Sequence, residues 1–229
     1  MKKSMIVISL GGSLIVPDKI DIKFLKEFKK IIQKHAREYK FIIVCGGGSV
    51  ARKYISSLKE LSINEKLQSF AGISATRMNA RFMSYIFHIN PEKGIPHKMK
   101  NLRKYIKKQD IIFCGALEYK PDQTSDSTAA EIAQKLKSDF INLTNIAGLY
   151  NKNPLEHKNA KFISKISWIE FDKMANKIKF KPGQHFVLDQ TASKIILKNK
   201  IKTYILGKNL KNLDNLLDNK KFKGTIIKD

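Results

Sequence analysis

Apolar residues fall in short blocks that stop at glycine, and polar stretches with helical spacing follow each block. Met5 to Leu10 is one such block; it ends at Gly11-Gly12-Ser13 and predicts a strand. Behind Asp21, a suitable cap, Leu25, Phe28, Ile32, Ala36 and Tyr39 recur on one helical face. Phe41 to Cys45 predicts a second strand, closing on Gly46-Gly47-Gly48-Ser49, and Val50, Tyr54 and Leu58 carry the helix after it. Ile111 to Cys114 ends at Gly115, a helix opens near Ser125 to Ser127 with Ala129, Ile132, Ala133 and Leu136 on one face, and Phe140 to Thr144 is a further strand.

Beyond Gly148 the pattern gives a loop holding Pro154, a helical stretch at Trp168 to Met174 and a helix from Asp189 to Asn199. A strand at Thr203 to Leu206, a short helix at Leu210 to Leu217 and a last strand at Thr225 to Ile227 follow. Strands that are apolar throughout, alternating with amphipathic helices, predict an α/β fold: a mostly parallel central sheet with helices on both faces, a three-layer sandwich. No repeat, linker or low-complexity segment interrupts the chain, so any division into lobes must pass through a shared sheet.

Composition narrows the picture. The 229 residues are 42% hydrophobic and 28% charged, which is globular and not disordered. No apolar run approaches the roughly 20 residues of a membrane helix. Cys45 and Cys114 stand far apart with no Cys or His at ligand spacing, so neither a disulfide framework nor a zinc site is indicated and a reducing cytoplasm is expected. The formal net charge of +24 comes from lysines spread over the outer faces of the predicted helices rather than clustered. Specific nucleic-acid binding is therefore not expected, although the field attracts polyanions, nucleotides included.

Candidate chemistry gathers where strands end. In parallel sheets ligands bind beyond the carboxyl ends of the strands, and glycine there lets backbone N–H groups approach a phosphate. The residues alone leave open whether these are anion cradles or merely tight turns. Arg52 follows the triple glycine, where its guanidinium could clamp a phosphate or simply face solvent. Thr124-Ser125-Asp126-Ser127 opens a helix with three hydroxyls around one carboxylate, more than one cap needs. That carboxylate is placed to orient lysines or magnesium, yet no residue is singled out as a metal ligand. The glycine turns match neither the dinucleotide fingerprint nor the Walker phosphate loop, and no histidine pair or nucleophile elbow supports a metal enzyme or hydrolase.

Taken in order, the motifs resemble the amino acid kinase family and, within it, archaeal-type uridylate kinases, over nearly the whole chain. Gly11-Gly12-Ser13 with Leu14 to Pro17 resembles the opening turn of the family, and Gly46 to Tyr54 its second phosphate loop. Gly72 to Ala80 is similar to the helix lining the acceptor nucleotide, Thr124-Ser125-Asp126 to a Thr-Thr-Asp motif, Thr144 to Tyr150 to the ATP loop, and Gly224-Thr225 to the C-terminal strand.

The resemblance implies one amino acid kinase-like domain, with residues 1–139 as the acceptor lobe and 140–229 as the ATP lobe. It implies transfer of the γ-phosphoryl group of ATP to UMP, with magnesium, by a homo-oligomer of hexameric form that needs no membrane. Gly11, Gly12, Ser13, Arg52 and Asp126 are the implied catalytic set. Gly47, Ser69, Thr76, Asn79 and the loop Leu117, Glu118, Tyr119, Lys120, Pro121, Asp122, Gln123, Thr124 are implied for UMP. For ATP the resemblance implies Ser9, Leu10, Gly48, Thr144, Asn145, Tyr150 and Asn153 beside the first turn and Arg52.

Departures from the pattern are specific. Ser9 stands where many relatives have lysine, Ser69 where an aspartate meets the acceptor ribose, and Ala147 and Asn153 replace ATP-loop aspartates. Loss of a charged hydrogen bond at Ser69 costs about 1.5 to 3 kcal/mol. These departures keep two alternatives in view: a weakened or inactive nucleotide-binding protein of the same fold, and a kinase for another small phosphorylated acceptor.

Overall fold

The computed structural model describes residues 3–90, 94–154, 156–177 and 187–229. The strands are β1 (Ser4–Leu10), β2 (Tyr39–Cys45), β3 (Ile111–Cys114), β4 (Asp139–Leu143), β5 (Leu149–Tyr150), β6 (Phe162–Ile163), β7 (Lys165–Ile166), β8 (Thr203–Leu206) and β9 (Thr225–Ile227). The helices are α1 (Gly12–Ile15), α2 (Ile22–His35), α3 (Gly48–Glu60), α4 (Glu65–Ile86), α5 (Met99–Ile106), α6 (Ser125–Leu136), α7 (Trp168–Lys177), α8 (Gln190–Asn199) and α9 (Lys211–Leu217). Seven strands form one sheet in the order β3-β2-β1-β4-β8-β9-β7. The first five are mutually parallel; β9 is antiparallel to β8 and carries β7 parallel to itself.

Alternation along each strand feeds two cores. Ile6, Ile8 and Leu10 of β1 with Phe41 and Ile43 of β2 face Phe28 and Ile32 of α2 and Met83 of α4. Val7, Ile42 and Val44 face the other way, onto Ala129 and Ala133 of α6, Phe171 of α7 and Ile196 of α8. Both sheet faces are therefore covered, which is why the strands carry no polar face.

Two boundaries differ from the sequence pattern. Helix α2 stops at His35 with Ala36 as its C-cap, so Tyr39, placed on the helical face by spacing, opens β2 instead. It still packs on the same core, which is why the 3.6 period ran on across the turn. Strand β4 ends at Leu143, one residue early, although the Thr144 N–H still donates to Leu206 O at 2.9 Å. The two-residue strands β5 and β6 were too short to show a period.

The strand order places the chain's crossover between β1 and β4, since β2 and β3 lie on one side of β1 and β4 on the other. That is the position where a crevice opens at the carboxyl edge of such a sheet. The small β5–β6 hairpin is tied to the main sheet by one buried hydroxyl: Thr225 Oγ1 accepts from Leu149 N at 2.8 Å and donates to Ile163 O at 2.5 Å. Thr225→Val, which keeps the shape and removes both bonds, is expected to cost about 1–3 kcal/mol and to speed amide exchange in the hairpin. Denaturant titration with hydrogen exchange checks it; an unchanged midpoint would show that the hairpin is held by packing alone.

Candidate active site

Strands β1 and β2 end side by side, and their glycine turns meet. Gly46 N donates to Leu10 O and Gly11 N to Leu143 O, each at 2.9 Å, so the first turn is stitched to both neighbouring strands. A Cβ added at Gly12 would sit inside contact distance of the Gly48 backbone, and one at Gly46 would fall 2.5 Å from Gly12 N. Gly48 takes φ +63°, a left-handed conformation that favours glycine, as the first residue of α3. Asn79 of α4 donates to Gly46 O at 2.7 Å and fixes the second turn from beneath.

This stitching sorts the predicted phosphate donors. The Gly11 amide is consumed by Leu143 O and offers no free donor to a ligand, and Leu10 is a core side chain whose carbonyl is taken by Gly46 and offers no free acceptor. Asn79 braces a turn through its amide nitrogen. The amides of Gly12, Ser13, Gly47 and Gly48 have no acceptor among the described residues, and they stand at the start of α1 and α3, where the helix dipole adds positive potential. Helix α3 begins within the glycines, so Arg52 lies one turn inside it; the side chain is exposed and has no partner among the described residues.

Ser9, placed by resemblance with ATP, has a different task. It is fully buried, and its hydroxyl donates to Asp126 Oδ1 at 2.5 Å. Thr124 caps α6 and donates its hydroxyl to Asp189 Oδ2 at 2.5 Å, while Asp189 itself caps α8 by accepting from Ala192 N at 2.8 Å. The ends of β1, α6 and α8 are thus linked through two carboxylates. Burial pushes the Asp126 carboxyl up to about 7, against the Ser9 hydrogen bond and with help from the Asp189 charge. Asp189 is raised as well, again chiefly by burial. Sequence reasoning placed Asp189 only at a helix start, because the cap role masks any other in sequence.

A cavity of about 240 Å³ has in its wall Ser69, Thr76, Glu118, Tyr119, Lys120, Gln123 and Thr124, seven of the residues that the resemblance assigns to the acceptor. Thr76 Oγ1 accepts from Ala116 N at 3.0 Å, and Arg77 donates to Ala116 O and Leu117 O at 3.2 and 2.6 Å, pinning the loop after β3. Tyr119 rests against Phe70 at 5.3 Å between ring centroids. Lys120 is held by Glu131 at 2.6 Å, and Gln123 donates to the same carboxylate, so both are oriented before any ligand arrives. Leu117, Pro121 and Asp122 fall outside this wall: Leu117 is a core side chain, and the Asp122 carbonyl accepts from Thr191 at 3.1 Å. Of the residues that the resemblance assigns to ATP, Thr144 and Asn145 bond each other at 3.3 Å beyond β4, Tyr150 of β5 packs edge-on against Phe162, and Asn153 O accepts from His157 N at 2.9 Å.

Comparison with known proteins places the whole chain in a family. A profile described as the amino acid kinase family matches residues 4–207. The uridylate kinase of Thermococcus kodakarensis is 35% identical over 228 residues, covering 97% of this chain and 98% of that protein. The uridylate kinase of Thermoplasma volcanium is 34% identical over 227 residues, covering 98% and 97%. The crystal structure of uridylate kinase from Archaeoglobus fulgidus superposes with a TM-score of 0.83 at 31% identity, over 97% of this chain and 99% of that one. With a family profile over most of its length and relatives aligned end to end, the chain belongs to the amino acid kinase family.

Proposed function

We propose that this protein is a cytoplasmic uridylate kinase that transfers the γ-phosphoryl group of ATP to UMP. The observation that carries the reading is the contact between the two glycine turns, which leaves four amides unengaged at the starts of α1 and α3, together with a cavity of about 240 Å³ that Ala51 of α3 and Thr124 at the cap of α6 line. The end-to-end likeness to uridylate kinases supports the choice of acceptor.

Phosphoryl transfer asks for in-line placement and charge neutralisation rather than a covalent nucleophile. The amides of Gly12 and Ser13 hold the transferring group, those of Gly47 and Gly48 hold the phosphates on the other side, and Arg52 spans them. The starts of α3 and α6 direct positive dipole ends toward the same place, which offsets the absence of a lysine at Ser9. Thr144, Asn145, Tyr150 and Asn153 in the lobe 140–229 serve ATP, and the wall from Ser69 to Thr124 in the lobe 1–139 serves UMP. Burial raises both carboxyls and the Asp189 charge raises Asp126 further, an arrangement that a divalent cation would relieve; Asp126 and Asp189 would hold magnesium with the ATP, where it would neutralise phosphate charge.

A homo-oligomer, hexameric by family resemblance, is part of the proposal. Helix α3 buries only Gly48 and Ser49, while Tyr54 and the nearby Leu61 are 53% and 70% exposed, an apolar face that a second copy would cover. Light scattering that gives a monomer at working concentration would remove this part.

A second reading, a nucleotide-binding protein without turnover, draws on Ser69 and Ala147 in place of aspartates. UDP formation from ATP, magnesium and UMP separates the two: turnover supports the kinase, and nucleotide binding without UDP supports the second reading. In the kinase, Ser69→Asp restores a ribose acceptor and is expected to lower KM for UMP roughly ten- to hundredfold with kcat little changed. An unaltered KM would show that Ser69 does not face the ribose.

Asp126 predicts a pH signature of defined sign. Its ionised form is the useful one, so kcat/KM rises with pH and levels off above about 7. Asp126→Asn is expected to be slow and to lack this limb. A carboxyl raised from 3.8 to about 7 contributes stability that is complete below the lower value and lost as pH rises through the upper one. The nucleotide-free protein should therefore lose stability relative to Asp126→Asn as pH rises across that window. Parallel stability curves would show that Asp126 is not perturbed.

A further inference from the structure

A second cavity, of about 520 Å³, lies at the opposite edge of the sheet, under the amino ends of β1, β4 and β8. It is larger than the acceptor cavity and falls in the roughly 300–1,000 Å³ range of small-molecule sites. The phosphoryl-transfer reading makes no use of it. Its floor is apolar, with Met5, Ile6, Ile141 and Leu216. Its rim is basic: Lys3, Lys137 and Lys202 against the single carboxylate of Asp139.

The rim cations are not equivalent. Lys3 is spent on Asp110 and Ala36 O, at 2.5 and 2.6 Å. Lys202 stands 3.8 Å from Asp139 and lies over the Tyr204 ring at 5.2 Å, so it is oriented at the rim by two neighbours. Lys137 ends α6 in a left-handed conformation, φ 52°, and its ammonium has no partner among the described residues. The next residue, Ser138, lines the same cavity and carries a buried hydroxyl without a hydrogen-bond partner. The left-handed conformation of Lys137 is that of a helix C-cap, with Lys137 N and Ser138 N bonded back to Gln134 O and Ala133 O, and it turns Ser138 into the cavity wall, where the orphan hydroxyl is the feature that packing leaves unexplained.

We propose that this cavity is a second ligand site, for a small organic phosphate: Lys137 and Lys202 take the phosphate, and the apolar floor takes the organic part. An inorganic anion would leave that floor unfilled. The site is distinct from the transfer cleft, because β1 and β4 run the full depth of the sheet between them.

Hydrogen exchange read by mass spectrometry, with AMP as probe, resolves the two edges by peptide. In the wild type, AMP should slow exchange in residues 3–6, 137–141 and 202–206 whether or not the cleft peptides around 11–16 and 46–52 respond. The Lys137→Ala/Lys202→Ala double variant should weaken that protection roughly ten- to hundredfold in AMP concentration, with kcat and KM for UMP unchanged. Lys137→Glu alone, at an exposed position, repeats the test should the double variant not fold. No protection of these peptides overturns the proposal. So does protection that survives the substitutions, or that sodium sulfate at equal ionic strength reproduces.

Discussion

The site depends on one steric constraint, the meeting of two backbones at the ends of β1 and β2. Gly12 approaches Gly46 and Gly48 so closely that a single methyl on any of the three would force the turns apart. Register makes this possible: β1 and β2 pair without offset from Ser4 opposite Tyr39 to Leu10 opposite Cys45, so both strands release their chains at the same height. The hydrogen bonds from Gly11 to Leu143 and from Gly46 to Leu10 then hold the turns against β4 and β1. Everything proposed about phosphate binding follows from amides that this contact leaves unengaged.

Electrostatics works on the same small region with backbone rather than side-chain charge. Ser9 holds Asp126 and Thr124 holds Asp189; the result is a carboxylate pair partly withheld from ionisation by burial. Such a pair is costly alone and becomes favourable beside a cation. Lys120 stands in the cavity wall, held by Glu131, and the surplus of lysine elsewhere supplies a long-range field that attracts anions.

Much of the fold was legible because its strands are apolar on both faces and its turns are glycine. The runs at Phe41 to Cys45, Thr203 to Leu206 and Thr225 to Ile227 end where the sequence pattern places them. The antiparallel β9 was not legible, since strand direction depends on partners distant in sequence. In the site, the glycines were legible as a set of turns at the strand ends, but the hydrogen bonds that each one makes were not. Gly11 bonding β4, Asn79 bracing Gly46 and Ser9 holding Asp126 are roles fixed by tertiary hydrogen bonds that no local pattern encodes. Asp189 was hidden for the opposite reason: its local role as a helix cap is so ordinary that it absorbed the signal.

The contact between the turns can be tested with one methyl group. Steady-state UDP formation by Gly12→Ala, beside circular dichroism and the thermal midpoint of the same sample, measures whether transfer requires the two backbones to touch. The account predicts a folded protein whose kcat falls about a hundredfold or more, the scale of an ångström-sized misplacement of reacting groups. A folded Gly12→Ala protein turning over at near the wild-type rate would contradict it.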